Sequence, residues 1–473
     1  MRQPLKLISL RWHRWLGWTG GIALLVFALS GITHPIMTWT SPRPVTYRAP
    51  TAPISGSAVT QMAHHLNQQG VAKARRVKLV PTHAGLAIQI THDPLQPRTY
   101  IDMATGHQLP PTTDADYAVW LARHYTGLAN APVTDLSIQT HFDSAYPWVN
   151  RLLPVYRITL DHTPKTTVFI DTELGALASI TTPWKTRLQG LFRALHTWQW
   201  LDRFNHTRLL LMSGLLLSLI GLSLSGIGLI VFIRRPHTSR RRRIHRSLSI
   251  LIWIPLLMFS SSGFYHLLHH GLFPSIPEPI VADWMAIPPV PAGPMHTPKS
   301  LLTSVTLVQG PGNTLLYRLD RPSPSRPNAH PFDGQPTHQP AWYINAHQGN
   351  HEPSITDSTL VEFYANRYMN HAPILDTQRL TRFSALYDFR NKRLPVFQLT
   401  YADRHIFIDP KTGTLVEQLY QADRYERLSF STLHKWNFLT PWTGRSIRDT
   451  LMISFLLISI FSAGIGFWLL LKR

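Results

Sequence analysis

The chain has 473 residues, with 46 Lys and Arg against 25 Asp and Glu, for a formal charge of +21. It contains no cysteine, which excludes disulfides, thiolate zinc, iron–sulfur clusters and CxxCH haem attachment, leaving any metal to His, Met or carboxylates. So basic a chain could bind nucleic acid, but its Lys and Arg border apolar runs, so the expected partner is a lipid bilayer and no nucleic acid.

Length admits two to four domains. The apolar residues concentrate in four runs, 16–37, 209–233, 248–268 and 450–471, with no acidic or basic residue apart from histidine. Each run has about 20 residues, enough as a helix to cross a hydrocarbon core of about 30 Å. The first run has no small-residue cleavage site and continues through His34 and Pro35, so it reads as a retained span. Arg2, Lys6, Arg11 and Arg14 precede it; Arg234, Arg235, Arg240, Arg241, Arg242, Arg243 and Arg246 separate the second and third runs; Lys472 and Arg473 end the chain. The positive-inside rule makes all three clusters cytoplasmic, with Trp12, Trp15, Trp18 and Trp39 as interfacial anchors.

In chain order this predicts a cytoplasmic N-terminus and first span (1–40), an outer region (41–185) and a lead-in helix with the second span (186–235). A basic loop with the third span (236–270), a second outer region (271–425) and a lead-in helix with the fourth span (426–473) follow. Helices are expected over 116–125 and 360–368, and Pro-rich loops over 273–298 and 321–340.

The chain repeats itself. His13-Arg14 and His245-Arg246 open the first and third spans, and His34 and His266 follow 21 residues after each His, both three residues beyond a Ser-Gly pair (Ser30-Gly31, Ser262-Gly263). Leu195-His196-Thr197-Trp198 precedes the second span and Leu433-His434-Lys435-Trp436 the fourth, with Gly226 and Gly464 each 30 residues beyond the histidine. In the outer regions, Tyr100-Ile101-Asp102 with Gly106 and Phe169-Ile170-Asp171 with Gly175 recur as Tyr343-Ile344-Asn345 with Gly349 and Phe407-Ile408-Asp409 with Gly413. Each reads as a strand entering a tight turn in which Gly takes positive φ.

Ionisable residues in spans are functional candidates. A rise of 21 helical residues, about 31 Å, puts His13 and His245 at the inner interface and His34 and His266 at the outer one, with His196 and His434 entering from outside. Imidazoles from different helices suit b-type haem, with Arg14 and Arg246 placed to pair with propionates and Gly31, Gly226, Gly263 and Gly464 leaving room. Imidazole also suits zinc or copper, and histidine chains can relay protons. His269 and His270, beside His266, offer a ligand shifted by a turn. His206, His237 and, taken singly, His270 read as solvated interfacial residues, and His64, His65, His83, His92, His330 and His338 as surface ones.

The His-Arg openings, Ser-Gly-x-x-His, Leu-His-x-Trp and the four aromatic-Ile-Asp/Asn turns resemble the PepSY-associated transmembrane proteins, which include inner-membrane ferric-siderophore reductases. The resemblance covers nearly the whole chain. It implies a membrane α-helical fold of four transmembrane helices in two tandem repeats, with two α+β periplasmic PepSY-like regions. It further implies two haem b groups whose iron takes axial ligands from His13, His34, His196, His245, His266 and His434. The activity it implies is reduction of a ferric siderophore, with electrons from a cytoplasmic or quinol donor, in the bacterial inner membrane. The preferred pairing places one haem between the repeats, with His34, His196, His266 and His434 supplying outer ligands. Two other classes compete: a non-enzymatic PepSY module binding a protein or peptide partner, and a metal-ion transporter.

Overall fold

The computed structural model describes residues 2–204, 206–233, 239–273, 280, 283–322 and 339–472, with side chains from Leu5 onward. Arg234, Arg235, His237, His330, His338, Arg473 and parts of both Pro-rich loops lie outside these residues. The described helices are α1 (Arg2–Trp39), α2 (Ser57–Gln68), α3 (Thr113–Thr126), α4 (Pro183–Leu195), α5 (Thr207–Phe232), α6 (Arg240–Leu272), α7 (Asp357–Tyr368), α8 (Gln421–Ser429) and α9 (Thr440–Leu471). The chain divides into two compact units: Met1–Ser41, Trp184–Ser275 and Ala422–Arg473 form one, and Pro42–Pro183 and Ile276–Gln421 the other.

The first unit is helical. Its helices α1, α5, α6 and α9 contain the four apolar runs and are long and apolar enough to cross a membrane. Helix α1 packs on α5 and α9, and α6 packs on the same two, so the two repeats close a four-helix bundle. Leu24, Ala28 and Leu219 are buried at its middle against Leu222, Leu256, Leu456, Ile460 and Ala463. Outward-facing side chains are apolar too, Leu210, Leu217, Leu224, Leu457 and Phe461 among them. Trp12, Trp15, Trp18 and Trp39 are exposed.

The second unit is α+β. Its strands are β1 (Lys73–Ala74), β2 (Arg76–Thr82), β3 (Gly85–Thr91), β4 (Thr99–Asp102), β5 (Val133–Gln139), β6 (Val155–Leu160), β7 (Thr166–Asp171) and β8 (Ala176–Thr181), followed by β9 (Met285–Ala286), β10 (Ser304–Gln309), β11 (Leu315–Asp320), β12 (Trp342–Asn345), β13 (Asp376–Leu380), β14 (Val396–Thr400), β15 (Arg404–Ile408) and β16 (Leu415–Tyr420). Each repeat forms a meander, β5-β6-β7-β8 and β13-β14-β15-β16, with a register shift at Phe169/Ile170 and again at Phe407/Ile408. The regions 41–185 and 271–425 also share one six-stranded sheet, β12-β11-β10-β2-β3-β4, joined where Leu307 pairs with Val77.

Alternation along those strands gives the shared sheet two apolar faces. Val77, Leu79, Ile88, Ile90, Leu307, Tyr317 and Ile344 pack on Met62 and Leu66 of α2. The opposite face supplies Val80, Ala87 and Tyr100 to the core around α3, and Val308, Leu316 and Tyr343 to the core around α7. The four aromatic-Ile turns form as expected: Gly106, Gly175, Gly349 and Gly413 have φ of 71°, 61°, 77° and 65°.

Candidate metal centres

Two pairs of histidine rings come together in the bundle, inclined to each other by 56° and 68°. The ring centroids of His13 on α1 and His245 on α6 are 6.4 Å apart, and those of His196 and His434 are also 6.4 Å apart. A histidine nitrogen sits about 2.0–2.1 Å from a bound metal and about 1.1 Å from its ring centre, so two imidazoles trans on one ion have centroids about 6.3 Å apart. Both pairs have that spacing. His13 and Ser30, which stand at the two levels, are 17 residues apart on α1, about 26 Å of rise.

Each ring is oriented through Nδ1. His196 donates to Ser30 Oγ at 3.0 Å, and that hydroxyl donates onward to the Val26 carbonyl at 2.6 Å. His434 Nδ1 lies 3.2 Å from Ser262 Oγ and 3.3 Å from the Phe259 carbonyl, with Ser262 donating to Met258 at 2.6 Å. His13 reaches Ser225 Oγ at 3.3 Å, and His245 donates to the Ser462 carbonyl at 3.1 Å. Acceptors at Nδ1 hold the proton there and leave Nε2 as a bare lone pair, the arrangement that ligating histidines take from their outer partners.

The sequence motifs build these contacts. In Ser-Gly-x-x-His the serine and glycine seat the histidine of the other motif: a Cβ on Gly31 would lie 3.6 Å from His196 Cε1, and one on Gly263 3.5 Å from His434 Cε1. In Leu-His-x-Trp the tryptophan reverses the chain, with φ of 50° at Trp198 and 51° at Trp436. Its indole N–H donates back to the carbonyl of Leu195 or Leu433, at 2.8 and 3.1 Å. Such left-handed backbone at a bulky residue persists only where its surroundings enforce it. Phe27 and Phe259 lie edge-on to His196 and His434. Phe192 and Phe430 stack on the same rings, each at 4.6 Å. These four phenylalanines were missed at the sequence level, although Phe-x-x-x-His precedes both motifs.

The remaining candidates sit elsewhere. His34 is exposed and lies against Phe192 at 5.6 Å, and His266 stacks on Phe430 at 4.0 Å. Neither joins the two pairs at 6.4 Å; of the four outer histidines expected around a haem between the repeats, His196 and His434 are the two whose rings come together in that way. Gly226 packs under His13, but Gly466, not the repeat-matched Gly464, packs under His245. Arg246 is spent at the end of α5, donating to the Ile230 carbonyl at 3.1 Å and to that of Ile233; Arg14 is exposed. Of the surface histidines, His64, His83 and His92 are exposed, while His65 is half-buried under Gly106.

A third group was not foreseen. His266, His270 and Glu426 bring three ligand atoms within 4.8 Å of one another, a group able to hold a metal ion. Beside it His269 Nε2 meets Asp423 Oδ1 at 2.7 Å. Burial raises the Glu426 carboxyl, but the His266 hydrogen bond and the neighbouring imidazoles outweigh it and hold the group below its ordinary value. Compared with models of known protein families and with curated proteins, the chain matches none.

Proposed function

We propose that this protein is a bacterial inner-membrane haem-b oxidoreductase that passes electrons from a cytoplasmic or quinol donor to a periplasmic ferric siderophore. The observation that supports it is the recurrence, at two depths of one bundle, of a histidine pair with ring centroids 6.4 Å apart and with hydrogen-bond partners at Nδ1. Zinc and copper sites usually recruit three or more protein ligands, whereas each of these pairs offers two imidazoles in an apolar, glycine-bordered setting. His13 with His245 and His196 with His434 would hold one haem each. Bound there, the two groups would supply one-electron couples at the two faces of the membrane.

The chain's own residues do the rest. Ser30, Ser262, Ser225 and the Ser462 carbonyl orient the imidazoles, while Leu24, Ala28 and Leu219 keep water from the span between the pairs. The arginines beside His13 and His245 make that end cytoplasmic by the positive-inside rule, so the His196 and His434 end faces the periplasm. Reduction of siderophore-bound Fe(III) to Fe(II) needs no covalent catalysis, since the softer ion is held less firmly by hard oxygen donors.

The test is a dithionite-reduced minus oxidised spectrum of purified protein, followed by ferric-siderophore reduction read with a ferrous chelator. Sharp b-type bands and ferrous release are expected. Protein that stays colourless after haem-supplemented expression overturns the reading.

A further inference from the structure

We propose that His266, His270 and Glu426 form a binding site for a divalent transition-metal ion, separate from the two histidine pairs. His266 and His270 stand four residues apart on α6, which brings both imidazoles to one face of the helix. Glu426 on α8 adds a carboxylate: its oxygens meet His266 Nδ1 and lie 3.8 Å from His270 Nε2. Two imidazoles and one carboxylate with open positions is a donor set suited to Zn(II) or Fe(II). The Glu426 side chain is 5% exposed and that of His270 48%, so a buried anionic ligand faces an accessible one and an ion has a way in.

The surroundings hold the ligands in place. Phe430 stacks on His266, and the His269–Asp423 contact ties α6 to α8 one turn away. The first repeat keeps His34 against Phe192 but none of the other groups: Thr38, Lys185 and Leu188 stand where the second has His270, Asp423 and Glu426. Half the bundle therefore folds without such a cluster, and repeat packing does not account for it. His266, Phe430 and His434 form one continuous stack, so the site adjoins the second histidine pair. Resting on the proposed function, its physiological occupant is the ferrous iron released there.

The test is equilibrium dialysis of tag-free, full-length protein against Zn(II), with bound metal counted by mass spectrometry. Wild type should retain one zinc more than His270→Ala and Glu426→Gln, and His64→Ala should behave as wild type. Each site variant should bind that zinc more than about tenfold more weakly, the loss that even an outer partner of a ligand can cause. Anaerobic Fe(II), the weaker-binding ion, should compete for the same site only when in large excess over zinc. Equal zinc in wild type and His270→Ala, with folding confirmed by gel filtration, overturns the site. Absorbance of the same samples separates the two readings: a colourless protein that loses one zinc on His270→Ala overturns the haem and keeps this site.

Discussion

His196 and His434 arrive on separate lead-ins of the two repeats, yet their rings come within 6.4 Å of one another, centroid to centroid. That relationship ranks the six repeated histidines. If each pair holds one haem, His196→Ala and His434→Ala should each lower haem from about two to about one per chain, as should His13→Ala and His245→Ala. His34→Ala and His266→Ala should leave it near wild type. A pyridine haemochrome assay reads all six, and loss of haem in His34→Ala would refute the pairing.

The glycine under His196 offers a graded version of the same test. A Cβ at Gly31 would make ordinary contact with the His196 ring, at 3.6 Å, so Gly31→Ala should keep both haems. Gly31→Leu would put side-chain atoms where the ring stands, and overpacking of that kind costs about 1–3 kcal/mol unless the neighbour moves away. The neighbour here is the ligand. One of the two b-type absorbance components should disappear in Gly31→Leu, with the four-helix unit still folded by circular dichroism.

Repetition decided what could be read in advance. The paired histidines, their Ser-Gly seats and the tryptophan turns occur twice at fixed offsets, and local rules such as positive φ at Gly106 or Gly413 needed no tertiary information. His270 was legible beside His266 as a ligand shifted by a turn, but Glu426 occurs in one repeat alone, in a polar stretch, so nothing marked it until α6 and α8 were seen together. Pairing of β2 with β10 was likewise illegible, because which edges meet is set by the packing of α2, α3 and α7 rather than by strand propensity. The Gly464 and Gly466 exchange shows the limit of repeat matching itself: equal spacing in sequence does not guarantee that the matched residue makes the matched contact.

Asp320 gives a pH-dependent prediction in the α+β unit. Burial alone would raise its carboxyl, but Arg318 at 2.7 Å and Lys411 at 2.7 Å outweigh that and hold it well below the ordinary carboxylate range. A depressed folded-state pKa stabilises fully above the unfolded value of about 4 and is lost as pH falls through the folded value. Asp320→Asn leaves Arg318 still paired with Asp357 and should cost about 1.5–3 kcal/mol at neutral pH, the range for a hydrogen bond to a charged group. Denaturant melts should show the gap to wild type narrowing below pH about 4. A gap that widens there would refute the assignment.

The four positive-φ glycines should not be equally sensitive. At each, an L side chain pays about 1–2 kcal/mol for left-handed backbone. At Gly175 the added Cβ would lie 3.2 Å from the Tyr117 hydroxyl, the far end of a side chain. At Gly413 it would lie 2.4 Å from Tyr364 Cζ, in a ring 2% exposed within the core around α7. Tyr364 cannot swing aside without opening that core, and displacing it adds about 1–3 kcal/mol. Gly413→Ala should therefore lower the thermal midpoint of the α+β unit clearly more than Gly175→Ala, measured by calorimetry on the full chain. Equal shifts would mean that backbone conformation alone sets the cost and that the Tyr364 ring yields.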